Sequence, residues 1–224
     1  MATKALIFDF DGTLTLSEPV HMSAWIEMAR QHSLPLPEGF LEAGIGHTDR
    51  EDAEILAQSW GLRDPQHTGP SLLAEKRATY QRKALTESVL VDGVPEMLAH
   101  FSRIYPLGLA TSASYDDINP ILERYDLSQY FKSVVAIEDV RNGKPDPEIY
   151  LKSAQNLGID PSACVAFEDT IIGGNAARAA GMRVIGMTTT FAERDLGKVV
   201  GAIRDFRDLS VVEGLIADFH QPLT

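Results

Sequence analysis

Lys4-Ala5-Leu6-Ile7-Phe8-Asp9-Phe10-Asp11-Gly12-Thr13-Leu14 is the stretch whose reading decides the fold. Ala5 to Phe8 is an unbroken apolar run. It suits a strand buried on both faces, as in a parallel sheet covered by helices. The run ends in two carboxylates one residue apart, and Gly12 then lets the backbone bend away. Phe10 points to the opposite side, so Asp9 and Asp11 share one side. Open α/β sheets bind ligands at the carboxyl ends of their strands. Crowded carboxylates there suggest a divalent cation, which takes hard oxygen ligands. The plainer alternative is a strand ending in a polar turn.

Outward from this strand the pattern changes period. Residues 16–87 show helical spacing and no strand. Ser17-Glu18-Pro19 reads as a helix start, with Ser17 as cap, and the helix runs to about Gln31. A short helix is expected near Glu38 to Ala43, then a turn at Gly44-Ile45-Gly46-His47-Thr48. Thr48 or Asp49 caps a third helix that ends before Gly61. Arg63 to Pro70 reads as a loop, and Ser71 to about Leu85 as a further helix. After Asp92-Gly93-Val94-Pro95, strands and helices alternate. The expected strands are Ile104–Thr111, Ser133–Ile137, Ala163–Phe167 and Arg183–Met187, with a weak one at Ala202–Phe206. Such alternation predicts an α/β fold with a parallel sheet and right-handed crossovers. The expected division is a core of residues 1–15 and 88–224, with an all-helical insert at 16–87.

The 224 residues carry a formal net charge of −12. That field repels nucleic acid and anionic membranes, so neither is an expected partner. A phosphorylated ligand would need local basic residues to overcome it. The single cysteine, Cys164, rules out an internal disulfide and suits a reducing cytoplasm. It lies in an apolar run and reads as a small buried hydrophobe. The N-terminus lacks the pattern of a signal peptide, and no apolar run reaches membrane-spanning length.

Three further stretches carry chemistry. Leu109-Ala110-Thr111-Ser112-Ala113-Ser114 ends the second strand with small hydroxyl residues. Their hydroxyls and freed backbone N–H groups suit phosphate oxygens, or simply cap a helix. Gly143-Lys144-Pro145-Asp146-Pro147-Glu148 presents Lys144 at the edge of a helix that Asp146 caps and Pro147 opens. Phe167-Glu168-Asp169-Thr170 brings two more carboxylates to a strand end. Without a cation, four neighbouring acids would raise one another's pKa values.

Together these motifs resemble the haloacid dehalogenase superfamily, in its helical-cap subgroup, across essentially the whole chain. The resemblance implies a Rossmann-like core, a helical cap and Mg²⁺-dependent phosphoryl transfer. It casts Asp9 as nucleophile, Asp11 as general acid and base, Lys144 as the neutralising cation and Ser112, or Thr111 by one register, as the phosphate hydroxyl. Asp9, the Asp11 carbonyl and Asp169 would bind the metal, with Glu168 directly or through water. The subgroup that contains beta-phosphoglucomutase is the nearest. It aligns His21, Arg50 and Lys76 (or Arg77) with substrate-binding cap residues, where a solvated helix face is the plainer alternative. Thr111, Ala113, Ser114, Tyr115 and Asp116 fall on its core substrate loop. His47 has no assigned role. Where that mutase has Ser-Lys-Asn to clamp a second phosphate, this chain has Ser114-Tyr115-Asp116. Leu16 stands where the family usually has Asp. The implied function is hydrolysis of a small phosphorylated metabolite, such as a sugar phosphate, by a cytoplasmic monomer or weak homodimer. The rivals are a sugar phosphate mutase and a non-catalytic phosphate-binding module.

Overall fold

The computed structural model describes residues 2–43, 49–62 and 65–217. The chain divides into two compact units, Met1–Leu16 with Val89–Thr224, and Ser17–Ser88.

The first unit opens with β1 (Ala5–Phe8), every residue of which is buried. The second unit follows, with α1 (Glu18–Gln31), α2 (Phe40–Ala43), α3 (Asp49–Ser59) and α4 (Pro65–Glu87). Trp25 and Met28 of α1 pack with Phe40, with Ala53, Leu56 and Ala57 of α3, and with Leu72 of α4. The sequence pattern points to a stripe of Met22, Trp25, Ile26 and Ala29; the helix buries Trp25 and Ala29 of these, with Val20, Ala24 and Met28, and leaves Met22 and Ile26 half-buried.

Two expectations for this unit need correcting. Ser17 has helical dihedrals and makes no side-chain cap bond. Its carbonyl instead accepts from the N–H groups of Val20 and His21. The expected loop before residue 71 is helical from Pro65, with Pro70 inside the helix. A proline there deletes one backbone bond and crowds the preceding turn. Gly69 beside it is buried, and a Cβ there would meet Glu54 Cγ of α3 at 3.4 Å. The predicted turn at 44–48, with His47 and the Thr48 cap, lies outside the described residues.

The first unit continues with α5 (Val94–Phe101), β2 (Leu107–Ala110), α6 (Tyr115–Arg124), β3 (Phe131–Val135), α7 (Glu148–Leu157) and β4 (Cys164–Glu168). It closes with α8 (Ile171–Ala179), β5 (Arg183–Met187), β6 (Gly201–Ile203) and α9 (Leu209–Ala217). The strands form one parallel sheet in the order β3-β2-β1-β4-β5-β6. This is an α/β fold with a Rossmann-like core. The expected strand at 104–111 is shorter, because Ile104 and Tyr105 still donate back to the Phe101 carbonyl as α5 unwinds.

The chain order reverses between β1 and β4. After β1 it runs outward through β2 and β3, then returns to lay β4 on the other side of β1. In open α/β sheets such a reversal point is where ligands bind. The register Ala5↔Cys164 to Phe8↔Phe167 puts Asp9 and Glu168 at the same level. Beneath them Phe8 stacks on Phe167 at 4.7 Å between centroids, with Phe206 against both.

Candidate active site

Asp9 follows β1 directly, and its N–H donates to the Phe167 carbonyl. The chain then turns tightly: Leu14 and Thr15 both donate to the Phe10 carbonyl, and Gly12 donates to the Thr15 carbonyl. Gly12 has φ +70°, and a Cβ there would stand 1.9 Å from Asp169 Oδ2. Only glycine satisfies both the left-handed backbone and the close approach of that carboxylate. The Gly12 carbonyl accepts from the Thr189 hydroxyl, which ties this turn to the loop after β5.

Lys144 reaches in from the loop before α7. Its Nζ lies 2.5 Å from Asp9 Oδ1 and 2.6 Å from Glu168 Oε1, and all three side chains are buried. The helix begins at Glu148, one residue later than expected, with Pro147 at its cap position. Asp146 Oδ1 still accepts from the Glu148 N–H at 3.0 Å. The rigid presentation of Lys144 therefore survives the shift.

Glu168 is held on both oxygens. Oε1 accepts from Lys144 and from the Tyr150 hydroxyl at 2.8 Å. Oε2 accepts from the Thr170 hydroxyl at 3.1 Å and the Thr170 N–H at 3.3 Å. Thr170 also caps α8 by accepting from the Gly173 N–H. A Cβ on Gly173 would lie 1.8 Å from Glu168 Oε1. The small-residue run thus clears room for a carboxylate, beyond letting the helix pack close.

Electrostatically the site is under strain of one sign. Burial pushes Asp9 up to about 8, against the opposing pull of Lys144 and with Glu168 and Asp11 adding to the rise. Burial and the neighbouring Glu168 and Asp9 likewise push Asp169 well above the usual carboxylate range, while a bond from Thr190 opposes them. Lys144 is held above its ordinary value by Asp9 and Glu168, which outweigh its burial. Burial first, and then Glu168, keep the Tyr150 phenol protonated. Asp9, Glu168 and Asp169 offer ligand oxygens within 4.8 Å of one another. An all-carboxylate set around one lysine is hard, oxygen-rich and short of positive charge, which fits Mg²⁺.

The residues from the end of β2 into the first turn of α6 are largely engaged within the protein. Thr111 is buried, and its hydroxyl accepts from the Ala113 N–H. Ser112 is exposed. The Ser114 hydroxyl donates to Asp117 at 2.6 Å. The Tyr115 hydroxyl donates to Asp139 at 2.6 Å and contacts the Val134 carbonyl, and the Tyr115 N–H donates to Glu138. Asp116 is exposed.

In the helical unit the structure brings two of the named residues together and leaves the third outside. Lys76 is fully buried, with its Nζ 2.5 Å from both His21 Nδ1 and Asp49 Oδ1. The same ammonium lies 5.5 Å from the Trp25 ring centroid and 5.2 Å from that of Tyr80. His21 stacks on Tyr80 at 4.0 Å. Burial and then the Lys76 charge push His21 down to about 3, so the imidazole is neutral and accepts from the ammonium. Arg50 faces solvent and pairs with Glu54 one helical turn on.

Sequence reading missed Tyr150, Thr170, Thr189, Thr190 and Asp49. The run Thr188-Thr189-Thr190 directly follows β5 and was findable from its place at a carboxyl strand end. Tyr150 carried no such signal, since an aromatic on a core helix reads as packing.

The haloacid dehalogenase-like hydrolase family model matches residues 3–181. The chain belongs to that family. A phosphorylated carbohydrates phosphatase of Thermotoga maritima is 34% identical over 185 residues, 81% of this chain and 83% of the relative. A beta-phosphoglucomutase of Bacillus subtilis is 30% identical over 190 residues, 82% of this chain and 83% of the relative. The crystal structure of a family IA, variant 3 hydrolase from Entamoeba histolytica superposes with a TM-score of 0.83 at 27% identity. That match covers 96% of this chain and 99% of the other.

Proposed function

We propose that this protein is a Mg²⁺-dependent phosphatase of small phosphate monoesters, with a sugar phosphate as substrate and Asp9 as nucleophile. One observation carries the reading: Lys144 Nζ within 2.6 Å of both Asp9 and Glu168, in a buried group of carboxylates at the sheet's reversal point. An Asp9 oxygen attacks phosphorus and the bond to the leaving oxygen breaks. Asp11 gives that oxygen a proton, then takes one from the water that splits the aspartyl phosphate. Alcohol and inorganic phosphate are the products. Lys144 neutralises the nucleophile and the phosphoryl oxygens. Freed N–H groups beyond β2, with the Ser112 hydroxyl or, by one register, that of Thr111, cradle those oxygens. Asp9, Asp169 and the Asp11 carbonyl would hold Mg²⁺, with Glu168 in support, and the ion supplies charge neutralisation and Lewis acidity. Arg50, with its guanidinium in solvent, takes part in choosing the substrate. His21 and Lys76 serve that choice from within the helical unit.

The mutase relative makes a second reading concrete. A mutase must grip a second phosphate. Here the first turn of α6 carries Asp116 and Asp117, with Glu138 bonded to the Tyr115 N–H. Those acids repel a second phosphate and accept an uncharged sugar end.

The test follows inorganic phosphate release from a panel of sugar phosphates, with Mg²⁺ and with excess chelator. One arm supplies β-glucose 1-phosphate with a trace of the 1,6-bisphosphate. The expected result is phosphate release that chelation abolishes and Asp9→Asn lowers at least a thousandfold (~4 kcal/mol). Rapid glucose 6-phosphate formation with negligible phosphate release selects the mutase. Full activity in chelator defeats the metal assignment, and no turnover on any ester defeats the phosphatase.

A further inference from the structure

We propose that the Tyr150 hydroxyl is a positioning group for phosphoryl transfer, acting through Glu168 to set how much of the Lys144 charge reaches Asp9 and the phosphate. The inference rests on the phosphatase reading above. Tyr150 lies in the first turn of α7 and is fully buried. Its hydroxyl and Lys144 Nζ donate to the same oxygen, Glu168 Oε1, at 2.8 and 2.6 Å. The ammonium also stands 5.1 Å from the Tyr150 ring centroid. The tyrosine therefore touches both halves of the Lys144–Glu168 pair.

A phenylalanine would fill the same volume and keep the ring against Lys144. What the hydroxyl adds is a second donor on Oε1. With it, Glu168 is satisfied without drawing fully on the lysine, because Thr170 already supplies Oε2. Without it, a buried carboxylate oxygen relies on Lys144 alone. The ammonium then binds Glu168 more tightly and serves Asp9 and the phosphate less. No proton moves in this account. The hydroxyl divides one positive charge between two anions.

The test is a double-mutant cycle on the full chain with Tyr150→Phe, Glu168→Gln and their combination. Two quantities are read: kcat and KM for a sugar phosphate, and the affinity for inorganic phosphate with Mg²⁺ by calorimetry. Tyr150→Phe is expected to lower kcat and weaken phosphate binding about tenfold, the loss of one charge-assisted bond. In the Glu168→Gln background the same substitution should change either quantity less than about twofold, because a neutral amide does not compete for the lysine's charge. Tyr150→Phe with wild-type kcat and phosphate affinity overturns the proposal. So does a tenfold loss of equal size in both backgrounds, which shows an effect not routed through Glu168. Absence of turnover in the wild type counts against the phosphatase reading alone, since the calorimetric cycle needs no turnover. A wild type that binds no phosphate overturns both.

Discussion

At the scale of single residues, the site depends on places where a side chain is missing. Gly173 and Gly174 are neighbours on α8, and both would ordinarily gain helix propensity as alanine, up to about 1 kcal/mol. Their surroundings reverse the sign for one of them. A Cβ on Gly174 meets the Nη1 of Arg178 at 3.1 Å, the far end of a flexible side chain. A Cβ on Gly173 falls within the Glu168 carboxylate. Gly174→Ala is therefore expected to keep activity and hold or raise the melting temperature. Gly173→Ala should lower the melting temperature and cut kcat/KM more than about tenfold, because Glu168 must leave Lys144 and Tyr150. Thermal melts and steady-state rates on the two variants check this, and equal behaviour would refute it. The acids were legible beforehand because charge at a strand end is unusual, and Lys144 because the prolines on both sides of Asp146 mark the loop that presents it at the edge of a helix. The residues that hold them in place were not, because Tyr150 and Thr170 are ordinary on a core helix and at a cap.

At the scale of elements, α1, α3 and α4 are joined by a polar centre inside an apolar layer. His21 and Asp49 meet Lys76, and Tyr80 covers the imidazole. The histidine is neutral in the folded unit, with its pKa pushed from 6.5 to about 3 by burial and then Lys76. In the unfolded chain it takes a proton near 6.5. Between those values the unfolded state binds more protons, so stability falls as pH falls through that window. The melting temperature should decline from pH 7 to pH 5, and His21→Asn should flatten that decline. An identical slope in both proteins would show that the proton load lies elsewhere. Periodicity found α1 nearly to the residue, since Pro19 and Leu34-Pro35 bracket it. It missed the start of α4, because Gly69 and Pro70 look like a loop, whereas Gly69 is buried against Glu54 of α3 and Pro70 stands exposed within the helix.

For the whole molecule, alternation of apolar runs made the parallel sheet legible, while its strand order required the structure. That order places β1 at the reversal point and makes Asp9 the centre of the site. The backbone around the helical unit has a separate consequence. Leu16 N–H donates to the Val89 carbonyl at 2.8 Å, and Thr15 bridges Leu90. The strand-like pairing closes the two ends of the interruption side by side within the first unit. The sheet-bearing unit thus contains a ready-made hairpin stem, and the 72 residues of Ser17–Ser88 hang from it like a domain spliced in at one point. Shortening such a loop lowers its closure entropy and stretches nothing. A chain in which a brief Gly-Ser turn joins Leu16 to Val89 should therefore fold as a miniature enzyme core, melt in one cooperative step and still bind inorganic phosphate. Its failure to fold would mean that the stem needs its load to stay closed.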